Sequence, residues 1–124
     1  MNRLFLFPAT AVSLLAIALL SNPAQALSKK QQEQAGANLF RDKGCAYCHG
    51  AAAQGTQKGP SLTNVRKALK PEQIAAQIQN GGRKMPSFSD SLSHDEVAQL
   101  VAWLRAKKRP APATVTTPAQ GNNP

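Results

Sequence analysis

The stretch GCAYCHG, Gly44 to Gly50, holds both cysteines of this 124-residue chain and one of its two histidines. Cys45 and Cys48 are three residues apart, and His49 follows directly. Two thiols and an imidazole at this spacing are compatible with four chemistries: a disulfide, a structural zinc site, a redox-active pair or a haem attachment site. The residues around the stretch are needed to choose among them.

The residues before the stretch predict an amphipathic helix. Ser28 and Gln31 have the spacing of a capping box, and apolar residues then recur on one helical face as far as Phe40. Gly44 is a typical residue at which such a helix ends. Gly36 lies on the apolar face, where it costs about 1 kcal/mol relative to alanine. The glycine is either incidental or is needed because a second helix crosses the first there; we favour the crossing.

Further helices are predicted after the stretch. Pro71 suits the first turn of a helix that ends at Gly81, and a short helical turn precedes it. Ser93 and Glu96 form a second capping box, and the helix that follows is closed by basic residues up to Arg109. No segment alternates apolar and polar residues for long enough to predict a strand. The predicted fold is all-α, with about four short helices that enclose a group which the helices themselves do not identify.

The two ends of the chain differ in composition from the middle. Residues 1–26 have a basic start, an apolar stretch interrupted by Pro8, and small residues at 24–26, which predicts a cleaved secretory signal peptide. The apolar stretch is short for a membrane anchor, which needs about 20 residues. Residues 110–124 contain four prolines and predict a disordered tail. Residues 27–109 remain as the folded domain.

Size and charge limit what this domain can be. A core built from so few residues is marginal unless a disulfide, a metal or a cofactor supports it. The chain carries a formal net charge of +9, with fifteen Lys and Arg against six Asp and Glu. Export and the absence of interleaved aromatic and basic residues argue against nucleic acid as a partner. The basic balance suits either docking to an acidic protein surface or simply the solubility of a small protein.

The haem interpretation accounts for all three residues of the motif. A disulfide between residues three apart closes a loop too small to stabilise much, and leaves His49 unexplained. A redox pair needs a preceding strand, and zinc needs four ligands, of which His94 would have to be one at the exposed start of a helix. Cys45 and Cys48 on one helical turn project to the same side, where they can reach two porphyrin vinyl groups. His49 then lies beside the iron.

A single histidine leaves the other side of a haem iron open. Met85 is the one methionine that remains after the predicted signal, which contains Met1, is removed. It lies in a loop between glycines and Pro86, outside the apolar faces of the predicted helices. A thioether at this position completes the iron and raises its potential, whereas an open position suits gas binding or peroxide chemistry. We predict that Met85 is the second axial ligand.

The mature domain resembles class I cytochrome c, specifically the small bacterial monohaem, cytochrome c6-like type. The resemblance rests on motifs from Ser28 to about Lys108: Gly36-x-x-x-Phe40, Cys45-x-x-Cys48-His49, Gly59-Pro60-x-Leu62, Met85-Pro86-x-Phe88 and Leu100-x-x-Trp103-Leu104. It implies helices wrapped around one covalently attached haem c, and a Pro60 carbonyl that receives the other ring N–H of His49. Asn64, Arg66 and Trp103 are candidates for the haem propionates by chemistry alone. The tail lies outside the resemblance.

The resemblance implies a function and its partners. We expect a soluble monohaem electron carrier of a respiratory chain, without enzymatic activity, in the periplasm or the thylakoid lumen. An oxidase, reductase or photosystem would dock at the haem edge near Lys58, Arg83 and Lys84; the carrier would meet the membrane only through such partners and act as a monomer. Two alternatives stay open: a haem enzyme or gas sensor with a labile Met85, and a membrane-tethered subunit of a larger redox complex.

Overall fold

A computed structural model describes residues 26–114. This part of the chain forms five helices and no strand: α1 Lys29–Asp42, α2 Cys45–His49, α3 Val65–Ala68, α4 Pro71–Asn80 and α5 His94–Arg105. The all-α prediction is confirmed. There are five helices rather than about four because the turn that carries the cysteines is itself a short helix. The predicted signal peptide lies, except for its last residue, outside the described part of the chain.

Both predicted capping boxes are present. At the start of α1, the Gln31 side chain accepts from the Ser28 N–H at 2.9 Å, and the Ser28 hydroxyl accepts from the Gln31 N–H. At the start of α5, Glu96 and Ser93 make the same reciprocal pair at 2.8 and 3.2 Å. Each cap satisfies N–H groups that no helical carbonyl can reach, and contributes about 1 kcal/mol. Local sequence therefore fixes where the two longest helices begin.

The core forms where α1 crosses α5. Gly36 and Ala37 of α1 are buried, and Phe40, Leu100 and Trp103 are each at most 2% exposed. The rings of Phe40 and Trp103 lie 4.5 Å apart between centroids. Gly36 lets the α5 backbone approach closely, which confirms the crossing expected from its position in the sequence. The crossing holds the first and last helices together. Helix α2, which follows α1 in the chain, packs against α1.

Helix α5 ends earlier than predicted. Ala106 has φ −60° and ψ 139°, so the chain leaves the helical region after Arg105. The expectation that basic residues up to Arg109 form the last turn is wrong. The Arg109 guanidinium instead folds back to the main chain, where it donates to the carbonyls of Leu62 at 2.6 Å and Leu104 at 3.1 Å.

The chain then returns along α1. The Ala113 N–H donates to the Asn38 side chain at 2.8 Å, and Gln34 donates to the Ala111 carbonyl at 2.9 Å. The first residues of the segment predicted as a disordered tail, 110–124, thus have hydrogen-bonding partners on a helix. The remainder of that segment lies outside the described residues.

Helix α4 and the loops on either side of it form the rest of the domain. Pro71 occupies the first turn of α4 and Gly81 ends it, as predicted, and Lys70 is the N-cap residue. Ile74 and Ile78 face inward and are 3% and 7% exposed. Between residues 26 and 114, no helix is both long and apolar enough to cross a bilayer.

Candidate cofactor site

Helix α2 brings the three residues of the motif together. Gly44 adopts φ 79° and so turns the chain from α1 into α2. Cys45 and Cys48 follow one helical turn apart and are not joined to each other by a disulfide. His49 ends the helix and is 8% exposed. The arrangement presents two sulfurs and one imidazole from a single turn of helix.

The environment of Cys45 differs from that of a redox-active cysteine. Burial raises the pKa of the Cys45 thiol, and the neighbouring Cys48 raises it further. Redox cysteines in Cys-x-x-Cys motifs have a lowered pKa, because the thiolate is the reactive form. The Cys45 thiol is therefore kept protonated at neutral pH, which does not suit disulfide exchange.

The tautomer of His49 follows from its hydrogen bond. The Nδ1 atom lies 2.8 Å from the Pro60 carbonyl oxygen. A carbonyl only accepts, so Nδ1 carries a proton, and in the neutral ring Nε2 is then the nitrogen with the free lone pair. This contact is the one that the resemblance implied for Pro60. A carbonyl acceptor on one ring nitrogen is the usual way in which a metal-binding histidine is oriented.

The loop between α2 and Pro60 is tied back to the end of α2. The Gly55 N–H donates to the His49 carbonyl at 2.7 Å, and the Thr56 hydroxyl donates to the Cys48 carbonyl at 2.6 Å. Gly59 packs so closely here that a Cβ would lie 2.9 Å from the Cys48 carbonyl oxygen. These contacts place Pro60 against the His49 ring.

Met85 lies in a second constrained loop. The Gly82 N–H donates to the Met85 carbonyl at 2.8 Å, and Gly81 has φ 69°. A Cβ on Gly81 would lie 2.7 Å from the carbonyl carbon of Pro86. The Phe88 N–H then bonds back to the carbonyl of a residue in α4 at 3.2 Å. The loop holds the half-buried Met85 side chain toward the interior.

Both loops and α2 enclose one cavity of about 450 Å³. Its walls include Cys45, Cys48, His49, Pro60 and Met85. The apolar remainder consists chiefly of Leu62, Val65, Leu69, Ile74, Ile78, Phe88 and Leu104. A volume of this size is within the range of cofactor sites. The residues fit a haem: apolar walls for the porphyrin, two thiols for its vinyl groups, an imidazole Nε2 and a thioether for its iron.

The polar side chains at the cavity are cationic or neutral. Lys58, Gln77, Arg83 and Lys84 line it, and within the described residues no carboxylate does. The Lys58 ammonium also lies 3.5 Å from the centroid of the Tyr47 ring, which is 70% exposed. Lys58, Arg83 and Lys84 therefore lie at a single cavity, although up to twenty-six positions separate them in the sequence.

The residues considered for the propionates from sequence do not reach the cavity. Asn64, Arg66 and Trp103 are absent from its walls within residues 26–114. The Trp103 indole N–H is already donated to the Pro110 carbonyl at 2.8 Å. Gln77, which sequence reasoning missed, does line the cavity. Its position three residues after the inward-facing Ile74 was the available signal.

Sequence reasoning also missed two arginines that support the cavity wall. Arg105 donates to the carbonyls of Arg66 and Leu69 at 3.3 and 2.8 Å. Arg109 donates to Leu62 and stacks on Trp103, 5.4 Å from the ring centroid. Burial lowers the pKa of Arg109. Both side chains connect the end of α5 to the segment that follows Pro60.

A helical domain without strands, enclosing an apolar cavity between a Cys-x-x-Cys-His turn and a methionine loop, defines a class I cytochrome c. Comparison with known proteins agrees: residues 31–104 match the family described as cytochrome c oxidase, cbb3-type, subunit III. Cytochrome c-555 of Methylococcus capsulatus is 29% identical over 79 residues, which are 64% of this chain and 64% of that one.

Two further relatives extend the comparison. The menaquinol:cytochrome c reductase cytochrome c subunit of Bacillus subtilis is 42% identical over 75 residues, which are 58% of this chain and 29% of that protein. The crystal structure of cytochrome cL from Methylophaga aminisulfidivorans superposes with a TM-score of 0.55 at 28% identity, over 68% of this chain and 61% of that one.

The chain belongs to this family of c-type cytochrome domains, and its cofactor is covalently attached haem c. The resemblance to class I cytochrome c is thereby confirmed. The chain spans 64% of cytochrome c-555 and 29% of the reductase subunit. The similarity therefore covers the haem domain and not the full length of either relative.

Proposed function

We propose that this protein is a monohaem electron carrier in which His49 and Met85 are the axial ligands of the iron. Cys45 and Cys48 form the thioether bonds to the haem, and Pro60 orients His49. The observation that carries the proposal is the convergence of all five residues on a single apolar cavity. When bound, the haem supplies an iron that alternates between the ferrous and ferric states.

The residues of the chain hold that iron in one coordination. The Nδ1–H of His49 is engaged by Pro60 at 2.8 Å, which leaves Nε2 as the nitrogen that would hold the iron and makes the ring a better electron donor. The Met85 carbonyl accepts from the Gly82 N–H, which closes the loop that carries the thioether. With His49 and Met85 both bound to it, the iron would need little rearrangement during electron transfer and would offer no position to a substrate.

The cations at the cavity suit an acidic redox partner. Lys58, Arg83 and Lys84 present positive charge at the cavity that would hold the haem, where a partner would approach for electron transfer. Such charges raise association rates and lose their effect as salt is added. We propose an oxidase, a reductase or a photosystem as partner, with contact to the membrane only through it and the carrier itself a monomer.

The sequence supports export of this carrier. Residues 1–26 have the features of a cleaved signal peptide, residues 27–109 form the haem domain, and the carrier acts in the periplasm or, in a photosynthetic cell, in the thylakoid lumen. The mass of the mature protein, taken from a periplasmic fraction, tests this directly. It reports both the loss of the signal and the addition of one haem. Retention of residues 1–26 would contradict it.

A second candidate function is electron transfer within a larger redox complex. It is favoured by the match to the family of cbb3-type oxidase subunit III and by the identity to a reductase subunit. On this alternative the haem chemistry is unchanged, but residues 1–26 stay attached as a membrane anchor. The same mass measurement separates the two candidates, because a tethered subunit keeps the anchor and is recovered from membranes.

Carbon monoxide separates the carrier from a haem enzyme or gas sensor with a labile Met85. The reduced carrier should bind carbon monoxide slowly or not at all, because a thioether occupies the position that the gas needs. Met85→Ala should bind it rapidly and serves as the positive control. Rapid binding by the wild-type protein would overturn the proposed carrier function and favour the sensor or the enzyme.

A further inference from the structure

The C-terminal residues of the described chain support the haem site from outside it. Arg109 lies after the end of α5, beyond the matched residues 31–104. Its guanidinium donates to the carbonyls of Leu62 at 2.6 Å and Leu104 at 3.1 Å. Leu62 lines the cofactor cavity and lies two residues after Pro60. Arg109 is thus bonded to a residue that lies two positions after Pro60, whose carbonyl accepts the His49 N–H.

The loop that contains Pro60 is anchored at its two ends by different elements. At its start, the carbonyls of Cys48 and His49 accept from Thr56 and Gly55, which ties the loop to α2. At its end, the Leu62 N–H donates to a carbonyl within the same loop, and the Leu62 carbonyl accepts from Arg109 at 2.6 Å and from the Val65 N–H at 3.2 Å. Within the described residues, Arg109 makes the hydrogen bonds that join loop residues 50–63 to the C-terminal part of the chain.

Arg109 is itself held by contacts on more than one side. It stacks on Trp103, which is 1% exposed, and the Trp103 N–H donates to the Pro110 carbonyl at 2.8 Å. Ala113 further on is bonded to Asn38 of α1. A part-buried guanidinium costs desolvation, and charge-assisted bonds to carbonyls offset that cost. Because Arg109 contacts both Trp103 of α5 and the Leu62 carbonyl, it holds that carbonyl at a set distance from α5.

We propose that Arg109 is a positioning residue of the haem site, which holds the Leu62 end of the loop so that the Pro60 carbonyl stays against His49. The proposal rests on the proposed function in that it takes His49 as an iron ligand. It assigns to Arg109, which follows α5, a role in supporting the haem site. Loss of the Arg109 bonds should loosen the His49–Pro60 hydrogen bond before it unfolds the domain.

The test is the exchange of the His49 Nδ1 proton with solvent, followed by NMR in the reduced holoprotein. Arg109→Lys keeps the charge but cannot reach two carbonyls with a planar fork. We expect it to accelerate this exchange about tenfold, as loss of a charge-assisted hydrogen bond does for a local opening. Arg105→Lys is the matched control, because Arg105 also donates to two carbonyls from the end of α5, but six and nine residues after Pro60.

The outcomes are distinct. Acceleration in Arg109→Lys with exchange within about twofold of wild type in Arg105→Lys supports the positioning role. Unchanged exchange in Arg109→Lys overturns it, and equal acceleration in both variants also overturns it, because general loosening of the wall then suffices. Failure of the proposed function would appear separately, as a wild-type protein without the spectrum of a histidine–methionine haem.

Discussion

Gly36 in α1 lies directly against Gln99 and Trp103 in α5. A Cβ at position 36 would lie 2.7 Å from the Gln99 carbonyl carbon and 2.7 Å from the Trp103 Cβ, and would meet the Gln99 carbonyl oxygen. Real side chains do not approach backbone so closely, so the crossing exists only with glycine there. This contact fixes the distance between the first and last helices, and with it the position of α2.

The first prediction concerns that contact. Gly36→Ala should lower the free energy of unfolding by about 3 kcal/mol, because the helices must separate to admit the methyl group. Helix propensity alone predicts the opposite sign, a gain of about 1 kcal/mol. Gly44→Ala is the control: among residues 26–114, apart from its two neighbours in the chain, no atom would lie within 4 Å of the added Cβ, and the positive φ costs about 1 kcal/mol. Denaturant unfolding of the holoproteins decides, and stabilisation by Gly36→Ala would refute the crossing.

Much of this fold could be predicted because its determinants are local. The capping boxes at Ser28 and Ser93 and the proline at position 71 set the helix starts within four residues of sequence. The Cys-x-x-Cys-His turn needs only one helical turn to bring its groups together. The crossing at Gly36 was favoured because glycine lowers helix stability and a close helix contact explains its presence.

The parts that were mispredicted depend on distant contacts. The basic residues after Arg105 suited the end of a helix, but Arg109 bonds to Leu62, which is forty-seven residues away. No local pattern encodes that pairing. Likewise, Trp103 has a donor suitable for a propionate, but Pro110 accepts it after the chain turns back. Gln77 entered the cavity through the orientation of α4, which depends on packing against α5.

The second prediction concerns the cofactor as part of the core. Cys45→Ser with Cys48→Ser should give a chain without a cooperative thermal transition, since haem would no longer be retained. The apolar residues that line the cavity would then face water instead of the porphyrin. A whole domain is stabilised by only about 5–15 kcal/mol, so losing this buried contact removes a large share of it. A transition in the calorimeter close to that of the wild-type holoprotein would contradict this account of the core.

The third prediction concerns the cations at the cavity. Lys84→Glu should slow oxidation of the reduced protein by ferricyanide, an anion, by about threefold at low ionic strength. Lys30→Glu makes the same charge change at the exposed start of α1 and is the control. Stopped-flow rates at rising salt should converge, because screening removes the difference. Equal rates for both variants at low salt would show that the basic surface does not steer electron partners.

The fourth prediction concerns pH and the cap of α5. A backbone hydrogen bond from Ser93 lowers the pKa of the Glu96 carboxyl, and Lys43, 3.5 Å away, lowers it further. A lowered pKa in the folded state means that the ionised group stabilises the fold at neutral pH. That contribution is lost as the pH falls through the folded-state pKa. Glu96→Gln should therefore lower Tm at neutral pH and differ less from wild type in acid.

A control for the fourth prediction is Ser28→Ala, at the capping box of α1, where the partner is Gln31. Neither side chain of that box titrates, so the cost of about 1 kcal/mol should be the same at neutral and acidic pH. Thermal melts of the three holoproteins at both pH values give the comparison. A gap between wild type and Glu96→Gln that stays constant with pH would contradict the role assigned to the carboxylate.

The central claim is that His49 and Met85 together hold the iron, and the far-red absorption of the oxidised protein tests it most directly. A sulfur-to-iron charge-transfer band arises only when a thioether is bound. Apart from Met1 in the predicted signal, Met85 is the only methionine in the sequence. The account predicts that the wild-type protein shows this band and that Met85→Leu, which fills the same space without sulfur, lacks it. A wild-type spectrum without the band, or a Met85→Leu spectrum that retains it, would contradict the account.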